Sequence, residues 1–276
     1  MDANWKREPR SAEISIADPL VTVDVMTKSF RALPEEAMRS IVVDISTFTH
    51  EHLAILLKLL HSLNLLQVTH FAYVSVCAYG GTEATEHLWL SRGTANIRPI
   101  VGFPGMLRPS RPLHLIALVG FEFERARVAI EEAEPNYVSL GVGERCESVT
   151  TGLHGKNQEF YSRLMDFVDE RLTTASSTRQ FEFSCIFPEK TKKQILDLIA
   201  SIEERNVVLF PMNTKISTLG AVMAALENPS IQLGYVEPLE YNVAEYSQGV
   251  DGFRLFRGSD FFDSKESVTL LTQNFS

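Results

Sequence analysis

The sequence predicts a doubly wound, mainly parallel α/β sheet of six or seven strands, with helices on both faces. Three observations point there. Short β-branched runs alternate with amphipathic helices from Ser40 onward. Several of the apolar runs are continuous, as in strands buried on both faces. Glycines, hydroxyls and charges collect where strands end and helices begin. With 276 residues, 45% hydrophobic and 22% charged, the chain can bury a large core and has too little polar bias for disorder.

The elements follow in order. Val21-Thr22-Val23-Asp24-Val25 reads as a strand, and Pro34-Glu35-Glu36 as a turn into a short helix. Ile41 to Ile45 is a β-branched strand, followed by a helix carrying Leu53, Leu56, Leu57, Leu60 and Leu63, with Thr49 as N-cap. A strand from Thr69 to Cys77 ends in Tyr79-Gly80-Gly81. Residues 82–112 hold too many glycines and prolines for a long helix and read as an excursion, extended near Ile97 to Val101. Leu113 to Val119 is a strand, Glu124 to Glu134 a helix, and Asn136 to Leu140 a strand leaving through Gly141-Val142-Gly143-Glu144. Gln158 to Leu172 is a helix and Phe181 to Phe187 a strand. Thr191 to Gln194 reads as a capping box. Val207 to Phe210 is a strand, Ile216 to Leu226 a helix, Gln232 to Val236 a strand, and Asp251-Gly252 a hairpin turn. This divides the chain into an N-terminal segment (1–39), a Rossmann-like domain (40–240) and an irregular tail (241–276) packing on that domain or on a partner.

Composition narrows the function. A net charge of −9 without a basic stripe argues against an extended nucleic-acid surface, whereas a small phosphorylated ligand needs only one or two local cations. No apolar run is long enough to span a bilayer, and no signal peptide is expected at the N-terminus. Cys77, Cys146 and Cys185, odd in number and widely spaced, read as free thiols of a cytoplasmic protein. His50-Glu51-His52 has the wrong spacing for two ligands on one helix face, so no metal site is expected. Phosphate-loop, nucleophile-elbow and dinucleotide fingerprints are missing, and no cofactor is identifiable.

The candidate ligand residues all fall at strand exits. The sharpest stretch is Asn213-Thr214-Lys215-Ile216-Ser217. Here a strand gives way to a helix whose unpaired N–H groups, with the Thr214 and Ser217 hydroxyls and the Lys215 charge, suit an anion. Asp44, with Ser46 and Thr47, is placed to orient a sugar hydroxyl, hold a metal-bound water or act as base. Glu122 is a second carboxylate, although a helix's first turn favours one electrostatically in any case. Tyr79, Gly80 and Gly143 lie at other exits, and Glu237, Tyr241, Tyr246 and Ser247 are placed to close over a ligand as a flap.

The strand–Asn213-Thr214-Lys215–helix arrangement resembles the threonine–lysine motif of CARF domains, Rossmann-like sensors of cyclic oligoadenylates in prokaryotic antiviral defence. The likeness covers about ten residues, and Asn213 stands where that family usually has glycine. It implies that Asn213, Thr214 and Lys215 touch a ligand backbone. The expectation is therefore a nucleotide-type sensor or complex subunit, with a protein partner or a second copy of itself. A hydrolase or glycosidase using Asp44 or Glu122, and a non-catalytic scaffold, remain the alternatives.

Overall fold

The computed structural model describes residues 12–79, 90–149, 151–171, 178–202, 204–243 and 246–261. Its longer elements are α1 (Pro19–Arg31), β1 (Ile41–Asp44), α2 (His50–Ser62), β2 (Thr69–Ser75), β3 (Asn96–Pro104), β4 (Leu113–Leu118) and α3 (Phe123–Ala133). They continue through β5 (Tyr137–Gly143), α4 (Thr151–Arg171), β6 (Thr178–Phe183), α5 (Pro188–Ala200), β7 (Asn206–Pro211), α6 (Lys215–Glu227), β8 (Ile231–Glu237) and β9 (Gly252–Arg257). The architecture is mixed α/β, with six helices and a six-stranded, mostly parallel central sheet among the described residues.

The central sheet runs β3-β8-β7-β4-β5-β6, parallel except for β3, which pairs antiparallel with β8. Alternate residues of β4 show why its apolar run is continuous. Leu115 and Ala117 pack with Ala126, Ala129 and Ile130 of α3 and Leu164 and Val168 of α4. Ile116 and Leu118 belong to the opposite core, with Ile195 of α5 and Ile216 and Leu219 of α6. Both faces of the sheet are therefore covered by helices. Pro99 sits in β3 at the sheet edge, where a strand tolerates a missing N–H.

Several expectations are corrected. Residues 21–25 lie within α1, because the Asp18 side chain accepts from the backbone N–H groups of Leu20 and Val21 and Pro19 occupies the first turn. β1 and β2 do not join the central sheet. They form a separate three-stranded sheet, β1-β2-β9, parallel between β1 and β2 and antiparallel between β2 and β9. β1 is consequently an edge strand, and Val42 is 67% exposed. β9 begins at Gly252 and pairs with β2, so Asp251-Gly252 is no hairpin turn. Gly141 to Gly143 lie inside β5, α4 starts seven residues ahead of Gln158, and β6 ends at Phe183. α5 opens at Pro188, so Thr191 is interior to it and bonds the Ser184 carbonyl at 2.5 Å.

Candidate functional site

The chain leaves β4 for β5 and β6 on one side, then returns to β7 and β8 on the other. Ligand crevices form where strand order reverses in this way, because the two exit loops diverge. Here that point lies between the exits of β4 and β7. A Cβ on Gly120 would stand 1.9 Å from the Met212 carbonyl oxygen, so glycine is needed for the two loops to meet at their base. Two amides staple the junction. Asn213 Nδ2 donates to the Val119 carbonyl at 2.5 Å, and Asn157 Nδ2 donates to the same oxygen at 2.7 Å. Asn157 Oδ1 in turn accepts from Gly143 N at 3.0 Å, fixing the end of β5.

Above this junction opens a cavity of about 560 Å³. Its far wall comes from β2, the segment after it and the segment after β8, and is strongly aromatic: Tyr73, Tyr79, Tyr241 and Tyr246, with Phe48 and Phe121 nearby. The hydroxyls of Tyr73 and Tyr79 are 3.2 Å apart, and those of Tyr235 and Tyr241 2.8 Å apart. Tyr79 packs edge-on to Tyr246 and tilted against Phe121. Antiparallel pairing of Ser247 with Tyr79 holds the two segments together. Such walls suit a planar or sugar-bearing ligand.

The floor is the first turn of α6. Thr214 caps it by accepting from Ser217 N at 3.0 Å, and its hydroxyl reaches the Cys185 carbonyl at 3.2 Å. The N–H groups of Lys215 and Ile216 have no acceptor among the described residues, as expected of a helix start. The Lys215 ammonium likewise has no hydrogen bond or ion pair among them. Burial pushes its pKa down to about 8; Glu122 opposes that shift and Arg125 adds to it.

Glu122 and Arg125 are committed to each other. One Glu122 oxygen accepts from Arg125 Nη1 and the other from Ser91 Oγ. Arg125, buried, also donates through Nε to the Val236 carbonyl at 2.9 Å, and its guanidinium lies over the Tyr235 ring. His50, at the start of α2, is buried and bonds Thr218 Oγ1 through Nδ1 at 2.7 Å. Burial, then Lys215 and Arg125, hold its pKa well below the usual value. Cys185 also lines the cavity, but burial pushes its thiol up to about 12, which leaves it unreactive.

Ser46, Thr47, Tyr79, Glu122, Asn213, Thr214 and Lys215 thus line one cavity. Asp44 does not line it. That carboxylate is exposed and accepts from Ser46 N at 2.9 Å and Ser46 Oγ at 2.6 Å. Ser46 Oγ accepts in turn from Val74 N, tying the exit of β1 to β2. Ser217 is fully buried and bonds the Thr214 carbonyl. Gly143 lies behind the wall, where a Cβ would come within 2.5 Å of Cys185 Sγ. Glu237 pairs with Arg98 and does not line the cavity. Gly80 lies outside the described residues. Sequence reasoning missed His50, Arg125 and Asn157. Two signals were available: His50 directly follows the Thr49 cap, at the same post-strand position that Lys215 holds after Thr214, and Arg125 stands three residues after Glu122.

Among the described residues no group of three or more His, Cys, Asp or Glu is placed to hold a metal, and no helix is long and apolar enough to cross a membrane. No protein-family model matches the chain, and no curated protein matches its sequence.

Proposed function

We propose that this protein binds a nucleotide-type ligand, acting in the cytoplasm as a sensor or as a subunit of a prokaryotic defence or regulatory assembly. The observation that carries the reading is the Lys215 ammonium. Among the described residues it has no hydrogen-bond or ion-pair partner, and it stands beside the open N-terminus of α6, lining a cavity walled by aromatic rings. In this reading the phosphate takes Lys215 and the free N–H groups, and the base or sugar packs against Tyr79, Tyr241 and Tyr246. A Rossmann-like, doubly wound assignment belongs to the same proposal. It is supported by the strand order, by helical cores on both faces and by a cavity at the reversal of strand order. The resemblance of Asn213-Thr214-Lys215 to the CARF motif supports a sensing role, with Asn213 acting here as a staple in place of the family's glycine.

Binding has more support than hydrolysis by Asp44 or Glu122, because Asp44 lies outside the cavity and both Glu122 oxygens are engaged. Mass spectrometry of the purified protein for retained nucleotides, followed by thermal shift with those found and with adenosine nucleotides and cyclic oligoadenylates, tests it. A shift without turnover that Lys215→Ala abolishes is expected. Absence of any shift across the panel, or a shift that survives Lys215→Ala undiminished, would overturn the proposal. Turnover of a nucleotide would favour the hydrolase. Co-purification with another protein, without nucleotide binding, would favour the scaffold.

A further inference from the structure

Edge strands carry unpaired backbone groups, and proteins blunt the edges they leave free with prolines, charges or short strands. The central sheet and the three-stranded sheet have four edge strands among the described residues. β3 carries Pro99 and Pro104, β6 carries Arg179 and Glu182, and β1 has four residues and ends in Asp44. β9 differs. It runs Gly252-Phe253-Arg254-Leu255-Phe256-Arg257, with no proline and no carboxylate, and β2 is its one strand neighbour among the described residues.

The outer face of β9 is apolar. Phe253 is 47% and Leu255 40% exposed, and alternation puts both on one face with Arg257. Phe253 lies opposite Val74 and Leu255 opposite Ala72. Exposed Val42 continues this face, since Val42 and Arg257 both pair with His70. Arg254 and Phe256 point the other way. Phe256 packs on the core, and Arg254 Nε is buried with no hydrogen-bond partner among the described residues.

The order of these side chains says what fits the free edge. Set antiparallel to itself with Leu255 opposite Leu255, the strand places Phe253 opposite Arg257 on the outer face. On the inner face it places Arg254 opposite Phe256. Every arginine then meets a phenylalanine, each pair occurs twice by symmetry, and no like charges face each other. Slipping by one residue, so that Leu255 faces Phe256, would set Arg254 against Arg257.

We propose that β9 pairs antiparallel with β9 of a second copy of this chain, about a two-fold axis at Leu255. The two three-stranded sheets become one sheet of six strands, in the order β1-β2-β9-β9-β2-β1. Phe253 and Leu255 of both copies then form one apolar cluster. Tyr73 of β2 lines the ligand cavity, so the joined sheet carries an aromatic wall for each copy's cavity. The pairing does not depend on what the cavity holds.

Sedimentation equilibrium of the full chain over a dilution series, on wild type, Phe253→Arg and Phe253→Glu, tests the pairing. Wild type should be a dimer that dissociates on dilution. Phe253→Arg sets like charges opposite Arg257 at two symmetric positions and should weaken the dimer about tenfold. Phe253→Glu sets opposite charges there and should hold the dimer at least as tightly as wild type. Should either variant fail to fold, cross-linking decides. With Cys77 and Cys146 replaced by serine, Leu255→Cys should link the two copies through a short bismaleimide, whereas Arg257→Cys should not. A monomer at every concentration, a dimer indifferent to the charge at position 253, or a dimer without the Leu255 cross-link would overturn the proposal.

Discussion

Two buried charge clusters, one closed and one open, flank the end of β8. In the closed one, Arg98 donates to both Glu51 oxygens at 2.9 and 2.8 Å, to Glu237, and to the Ile16 carbonyl at 3.0 Å. Two carboxylates and a carbonyl surround one guanidinium, joining α2, β3, β8 and the segment before α1. In the open one, Glu122 faces two cations, Arg125 and Lys215, and pairs with only the first. The difference separates a structural contact from a candidate site. A cluster whose groups all satisfy one another is a strut, whereas the other, among the described residues, keeps one cation without an ion-pair partner.

The largest expected effect falls on the strut. Glu51→Gln breaks a buried pair and leaves Arg98 with a weaker partner, so urea unfolding should show a loss of about 3–5 kcal/mol. Ligand affinity should be unchanged. A large loss of ligand binding by well-folded protein would erase the contrast between the clusters.

The opposite end of the sheet supplies a pH test of comparable size. His114 is buried between Ser139 Oγ at 2.8 Å and Arg205 Nη1 at 3.1 Å. Burial, with Arg205 and Arg179, lowers its pKa from 6.5 to about 4. The unfolded chain therefore binds the extra proton first as pH falls. The stability that His114 contributes is whole above pH 6.5 and is lost progressively toward pH 4, with a ceiling of roughly 3 kcal/mol. Denaturant titrations of His114→Asn across that range should show a flatter profile than wild type.

A smaller effect belongs to the floor of the open cluster. Thr214→Ala removes the α6 cap and should cost about 1 kcal/mol, measured by chemical denaturation. It should also weaken nucleotide binding, since the first turn of the helix frays. Asp44→Asn should do least. It changes an exposed carboxylate outside the cavity, so stability should move by less than about 0.5 kcal/mol and ligand binding not at all.

Local chemistry was legible in the sequence, and long-range placement was not. Thr49 and Thr214 announce α2 and α6 because an N-cap acts within three residues. The strand–helix alternation conveys the mostly parallel sheet, but alternation cannot say which strands share it, so β1 and β2 were placed in the wrong sheet. In α1 the β-branched run Val21, Val23, Val25 masked a cap at Asp18 and a proline in the first turn. Glu237 was misread as a flap residue because its partner Arg98 lies 139 positions away. The Arg125 partner of Glu122 stood three residues along the same helix, a spacing that sequence alone can reveal. The sequence offers His50 only as a metal ligand, and its partner Thr218 lies 168 positions away, where no local pattern joins the two.

The central claim is that Lys215, a half-buried amine with no partner among the described residues, takes up an anionic ligand. An NMR titration of its side chain, assigned by difference against Lys215→Met, tests that claim most directly. The pKa should be near 8 in the free protein and rise on addition of a bound nucleotide, because a phosphate stabilises the charged form. A lysine that titrates at its ordinary value of 10.5, unmoved by any nucleotide, would contradict it.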